Sequence, residues 1–185
     1  MILPIVAYGD PVLRKKGEEI DKDYPGLEKL IDDMFETMEK SRGVGLAAPQ
    51  IGKAIRLFVI DSTKMHEEDE EHLGIREVFI NAKIIDEDGD EWRFEEGCLS
   101  IPTIREDVLR QPKITIQYYD RHFNFHEKNF DDLTARVIQH EYDHIEGILF
   151  IDHLKPLKKS LLKGKLEKIS KGMVDVSYKM KFPKK

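Results

Sequence analysis

The 185-residue chain has one cysteine, no apolar run long enough to cross a bilayer, and no internal repeat or low-complexity tract. A lone cysteine rules out an internal disulfide. The apolar opening Met1-Ile2-Leu3-Pro4-Ile5-Val6 is too short for an export signal and lacks the basic lead of one. These shortages together predict a reducing cytoplasmic setting and no membrane partner. The chain also lacks a Gly-Lys-Ser/Thr ending to its one glycine-rich stretch, which excludes a P-loop. What remains is a length suited to one domain with its own core, and a composition of 40% hydrophobic and 36% charged residues that describes a charge-rich globular protein.

The net charge of −6 conceals an asymmetry. Residues 155–185 carry eleven lysines against Glu167 and Asp175, a balance of +9, so residues 1–154 sum to −15. A basic end on an acidic body suits an anionic partner such as RNA, and equally suits a solvated terminus. No DNA partner is expected. The acidic run 66–71 reads as an exposed loop, because nothing there fixes a metal-binding geometry.

Periodicity places the elements. Asp10-Pro11 marks a turn or a short helix start. Pro25 opens a helix with Leu27, Leu30, Ile31, Met34 and Met38 at helical spacing, ended by 40–43. The two methionines on that stripe read as core packing and not as sulfur ligands. Residues 55–60 and 78–85 read as strands, 86–90 as a turn leading to 91–95, and 105–110 and 113–119 as further strands, with 124–129 returning across a hairpin. Pro156 opens a last helix to about Ser170, with Leu157, Leu161, Leu162, Leu166 and Ile169 as its apolar side. Strands bracketed by helices without regular β-α-β alternation define an α+β fold.

One stretch, Gln139-His140-Glu141-Tyr142-Asp143-His144-Ile145-Glu146-Gly147, organises the rest. On a helix, His144 lies roughly 40° round from His140, so both imidazoles can reach one cation, and Glu141 falls about 60° beyond His144 on the same half. That is the arrangement for activating water at a metal with a carboxylate beside it. Asp131 or Asp132 can N-cap this helix, Leu133, Val137, His140 and His144 share an inward stripe, and Gly147 supplies a stop. Two imidazoles do not complete a catalytic centre, which usually takes three side chains and keeps a position for water. Cys98, in Glu96-Gly97-Cys98-Leu99-Ser100, is the soft candidate. An isolated cysteine is more often a small buried hydrophobe, but a polar Glu-Gly approach is unusual for a core strand. Upstream, residues 43–52 (Gly-Val-Gly-Leu-Ala-Ala-Pro-Gln-Ile-Gly) have little side-chain bulk, so a ligand's backbone can approach closely, or the stretch is a tight packing loop. Gln50 is its one polar side chain able to donate and accept.

The three segments 43–50, 96–100 and 139–144, in that order and spacing, resemble the three signature motifs of peptide deformylase. The similarity runs from Tyr8-Gly9-Asp10-Pro11-Val12-Leu13 to about Lys159. The resemblance implies small mixed and antiparallel sheets packed around a central His-Glu-x-x-His helix, flanked by an N-terminal and a C-terminal helix. It implies one catalytic domain over residues 1–171, with 172–185 as a basic tail that need not be ordered. The implied activity is removal of the formyl group from the N-terminal formylmethionine of newly synthesised polypeptides, releasing formate. By motif match, Cys98, His140 and His144 are the metal ligands and Glu141 the general acid/base, while Gln50 and the Leu99 N–H hold the formyl oxygen. The implied metal is Fe2+, with zinc, nickel or cobalt able to substitute. Gly43, Gly45 and Gly97 leave room for the substrate's main chain; Val44, Leu133 and Val137 are assigned to the methionine pocket, with Arg105 near its mouth. Glu96 and Arg110 are expected to pair and brace the cysteine loop. The Lys-rich end is a candidate ribosome contact. Ile145 stands where leucine is usual, the acidic stretch 64–74 lengthens the distance between the first two motifs, and 174–185 matches the long-helix subgroup less well.

Two other readings use the same residues. A zinc endopeptidase shares His-Glu-x-x-His but takes its third ligand downstream, where Glu146 points to another face and His153 is conceivable. A metal-stabilised binding module without activity is the second.

Overall fold

The computed structural model describes residues 1–184. Its elements in chain order are strand β1 (Ile5–Val6), helix α1 (Leu27–Lys40), β2 (Gly45–Ala47), β3 (Leu57–Asp61), β4 (Arg76–Asp88), β5 (Trp92–Cys98), β6 (Ile101–Arg110), β7 (Lys113–Tyr119), β8 (Phe125–Asp131), α2 (Asp132–Ile145), α3 (Pro156–Ser170) and β9 (Met180–Lys181). Five strands form an antiparallel sheet in the order β2-β3-β4-β7-β8, β5 and β6 form a separate hairpin, and β1 pairs with β9 in parallel. The α+β expectation holds. Among the described residues no helix is long and apolar enough to cross a membrane.

Two apolar layers cover the large sheet. On one side Leu27, Leu30, Ile31, Met34 and Met38 of α1 pack against Leu46, Leu57, Val59, Val78 and Ile80. On the other, Ala135, Val137, Ile138 and Ile145 of α2 meet Phe58, Phe79, Ile114, Ile116 and Tyr118. Strand alternation produces this division: Leu57 and Val59 face α1, whereas Phe58 and Ile60 face α2. The helix carrying the histidines is therefore clamped to the sheet by its own apolar stripe. Stacking of Phe58 on Phe79, with centroids 4.8 Å apart, adds to that layer.

Several boundaries differ from the sequence expectation. β4 extends to Asp88 through two register shifts, one beside Asn81 at φ +52°. The Asn81 side chain accepts from Ile20 N–H and donates to Ile20 O, at 2.9 and 2.7 Å, which stabilises the bulge. β8 runs straight into α2 through Asp132 at φ +47°, and the Asp131 side chain makes no capping bond. Gly147, at φ +75°, does end that helix, packed so tightly on the Arg14 carbonyl that a β-carbon would collide with it.

The largest corrections fall at the C-terminal end. In α3 only Leu162, Leu166 and Ile169 are buried; Leu157 and Leu161 are 74% and 70% exposed. They lie about 100–150° round the helix from the buried stripe, too far to share it. Residues 172–184 are not a loose tail. Met180 and Lys181 pair with Ile5 and Val6, and Val174, Tyr178, Met180 and Phe182 pack against the cores. The apolar alternation Val174, Val176, Tyr178, Met180, Phe182 has the period of two of a strand, a signal obscured by the polar residues Asp175, Ser177, Lys179 and Lys181 between them. Lys185 lies outside the described residues.

Candidate active site

Cys98 ends β5, at the tight turn into β6, and meets α2 across the gap between the hairpin and the large sheet. One donor atom from each of Cys98, His140 and His144 lies within 4.8 Å of the others. Cys98 Sγ is 3.4 Å from His144 Nε2. The two imidazole centroids are 5.2 Å apart, as the i, i+4 spacing requires. A thiolate with two imidazoles is a donor set suited to Zn(II) or Fe(II), with three protein ligands leaving a position open.

The surroundings orient these groups. Glu96 Oε1 accepts from His140 Nδ1 at 2.8 Å, which leaves Nε2 of that ring for the cavity. The same carboxylate takes a two-pronged bond from Arg110, at 2.8 and 3.0 Å, and another from Arg136 at 3.0 Å. The expected Glu96–Arg110 brace is thus present, with a second guanidinium added. Burial alone would raise the Glu96 carboxyl, but the bonds from His140 and Arg110 outweigh it and hold the group well below the ordinary range. Burial, followed by the neighbouring His140, lowers His144 to about 3, so its ring is neutral and free to ligate. Arg110 also reaches Asp143, which in turn binds His153, each at 2.8 Å.

Glu141 is buried on the cavity side of α2, and its Oε2 has no hydrogen-bond partner. Burial raises its carboxyl to about 7 in the metal-free protein. Its close neighbour is Gly45, where a β-carbon would run into the carboxylate. At Gly43 a β-carbon would stand 2.9 Å from a Leu99 methyl, and at Gly97 it would meet the flexible end of Arg105. Gln50 has a fixed orientation: its Oε1 accepts from Ala47 N–H at 2.9 Å, which turns Nε2 toward Ser100 Oγ at 3.3 Å and Cys98 Sγ at 3.5 Å.

These groups surround a cavity of about 640 Å³. Gly43, Val44, Gly45, Gln50, Gly97, Cys98, Leu99, Arg105, Val137, His140 and Glu141 all line it. His144 is buried behind the wall. Leu133 is not a wall residue: it sits two turns before His140, about 10 Å away along the helix axis. Arg105 is exposed at the rim and binds Glu95 at 2.8 Å. Sequence reasoning missed Phe94, Ile104, Arg136 and residues 175–178, all of which line the cavity. Arg136 is charged yet buried, with its guanidinium 4.6 Å from the Trp92 ring centroid.

A Cys/His/His donor set with a buried carboxylate beside it, on an antiparallel α+β scaffold, defines a metal-dependent hydrolase. The family described as polypeptide deformylase matches residues 2–160. The peptide deformylase of Christiangramia forsetii is 57% identical, over 99% of this chain and 97% of its own. The crystal structure of a peptide deformylase from Legionella pneumophila superposes with a TM-score of 0.81 at 39% identity, covering 94% of this chain and 98% of that one. A plant peptide deformylase structure gives 0.82 at 35% identity, with 96% of each chain covered. The chain belongs to the polypeptide deformylase family.

Proposed function

We infer that this enzyme hydrolyses the formyl amide at the N-terminal formylmethionine of newly made polypeptides, giving formate and a free amine. The observation that carries the reading is the meeting of Cys98, His140 and His144 next to the buried Glu141, in a cavity open to solvent. Cys98 and the two histidines would hold the metal. A divalent cation bound there supplies a Lewis acid and makes water a nucleophile near neutral pH. Glu141 takes a proton from the attacking water and passes it to the departing amine nitrogen. The Gln50 amide and the Leu99 N–H donate to the formyl oxygen as charge grows on it; losing one such donor typically costs on the order of 3 kcal/mol.

The substrate's main chain lies along β2, whose free edge is one side of the large sheet and which Gly43 and Gly45 leave uncrowded. Gly97 on the facing edge of β5 borders the same channel. Val44 and Val137, with Phe94, supply an apolar pocket for the methionine side chain, and Arg105 stands at its mouth. Residues 1–171 serve as the single catalytic domain, with the final segment folded back onto it.

Formate release from formyl-Met-Ala-Ser by the purified protein tests the reading. Glu141→Ala should abolish release while leaving the metal bound. The donor set accommodates ferrous iron as the resident metal, with zinc, nickel or cobalt as substitutes; metal analysis after anaerobic purification decides among them. A downstream third ligand, as an endopeptidase would use, does not join the cluster: among the described residues Cys98, His140 and His144 are the donors that come together. Glu146 is bound to Arg56 at 2.7 Å and His153 to Asp143 at 2.8 Å.

A cytoplasmic location and a ribosome contact complete the proposal. Exposed Leu157 and Leu161 stand on α3 among its lysines, a mixed apolar and basic surface suited to rRNA and ribosomal protein. Deleting α3 would expose the core, so the sharper test is Lys159→Glu with Lys163→Glu. Ribosome co-sedimentation unchanged by this pair, or insensitive to salt, would remove the contact.

A further inference from the structure

We propose that Tyr178 is a positioning residue for the Cys98–Leu99 turn, acting from a C-terminal segment outside the region matched to the family. Its hydroxyl donates to the Leu99 carbonyl oxygen at 2.8 Å. Leu99 is the residue whose N–H donates to the formyl oxygen in the proposed mechanism, so this inference rests on that reading. Residues 175–178 also form one wall of the catalytic cavity. The Tyr178 ring and the Leu99 side chain pack against the same apolar cluster.

The turn needs outside support. The β5–β6 ladder slips between Gly97 and Cys98, and Leu99 has no partner in it. Two distant segments hold the turn through consecutive carbonyls. Ser100 O accepts from Tyr8 N–H at 2.8 Å, and Leu99 O from Tyr178. The segment bearing Tyr178 is itself anchored just beyond that residue. Lys179 O and Lys181 O accept from Ile5 N–H and Ala7 N–H, both at 2.9 Å. Leu99 N–H and C=O flank a single Cα, so fixing the carbonyl restricts the direction of the N–H. An oxyanion donor depends on that direction being set before the substrate arrives. A phenol hydroxyl is a donor at working pH, and here the carbonyl oxygen is its partner.

Tyr178→Phe keeps the packed ring and removes only the hydroxyl. With formyl-Met-Ala-Ser as substrate, kcat should fall by about tenfold while KM stays within about twofold, since misplacing one transition-state donor affects chemistry more than binding. Metal per chain and Tm should match the wild type, and the Leu99 amide should exchange with deuterium faster. A wild-type kcat in Tyr178→Phe overturns the proposal. So does a loss no greater than the loss of metal or of folded protein, or an unchanged Leu99 exchange rate. If Tyr178→Ala is impaired but Tyr178→Phe is not, the ring and not the hydroxyl matters, and the proposal again fails. Wild-type protein that releases no formate sinks the functional reading, and this inference with it; an active wild type matched by Tyr178→Phe sinks this inference alone.

Discussion

Gly45→Ala isolates the contact between the edge strand β2 and the buried Glu141. The added methyl group would fall on the Glu141 carboxylate and on the carbon atoms behind it. Neither side can yield freely. Gly45 is paired with Ile60, and the next residue, Leu46, is fully buried; Glu141 belongs to α2, which is packed on the sheet through Ala135, Val137 and Ile138. Gly45 does not have a positive φ, so alanine carries no backbone penalty there and would by itself stabilise the chain by about 0.4–1 kcal/mol. Overpacking of this kind costs about 1–3 kcal/mol, which outweighs that gain. Each kcal/mol lowers Tm by roughly 2–4 °C in a chain of this size. The carboxylate has to move by on the order of 1 Å, and a displacement of that size in a catalytic group costs about a hundredfold in rate. The assays are formate release and thermal unfolding of Gly45→Ala, Glu141→Ala and the double variant. In the Glu141→Ala background the methyl group finds space, so the stability loss from Gly45→Ala should vanish. Strictly additive stabilities, or a wild-type kcat in Gly45→Ala, would refute the reasoning.

Glu96→Gln leaves buried Arg136 without its carboxylate partner and Arg110 with Asp143 alone, and should destabilise the fold by about 3–5 kcal/mol, with metal affinity lowered about 10–100-fold; denaturant titration and metal competition measure the two effects. Because the folded-state pKa of Glu96 is depressed, its stabilisation is fully present above the ordinary glutamate value of about 4.3 and fades as the pH falls below it, so wild type and Glu96→Gln should converge in strong acid. Glu141 has the opposite sign. Its carboxyl is raised to about 7 in the metal-free protein, so folding is penalised progressively as the pH rises from about 4.3 through 7. Metal-free Glu141→Gln should therefore exceed wild type by on the order of 3 kcal/mol at pH 8 and equal it at pH 4, as urea unfolding at the two pH values will show. On α3, Leu162→Ala should cost about 2–5 kcal/mol and Leu157→Ala less than about 0.5, because only the first is buried; equal Tm losses would contradict the assigned helix orientation.

Local patterns carried much of this protein in legible form. The stripe of α1, the hairpin of β7 and β8, and the spacing of His140, Glu141 and His144 each follow from a period that neighbouring residues set among themselves. The Cys98 assignment needed more, since an isolated cysteine fits a core as well as a metal, and it rested on three motifs read together. Reading failed where composition masked periodicity. Asp175, Ser177 and two lysines interleave the strand-like alternation from Val174 to Phe182, and of five apolar residues on α3 only three share the buried face. Arg136 is not legible in the sequence, because a charged residue next to Val137 is expected in solvent, whereas Glu96, Trp92 O and Val108 O all accept from it inside the fold.

The amino-acid order alone determined which groups can do the chemistry, because helical pitch brings residues four apart onto one face without help from the rest of the chain. Only the tertiary structure decided how those groups are aimed. Cys98 meets His144 across 46 residues of sequence, Tyr178 reaches Leu99 across 79, and the direction of the Gln50 amide depends on a backbone N–H that β2 holds in place. Such convergences are set by packing of the sheet, the hairpin and three helices against one another, and no periodicity along the chain encodes them.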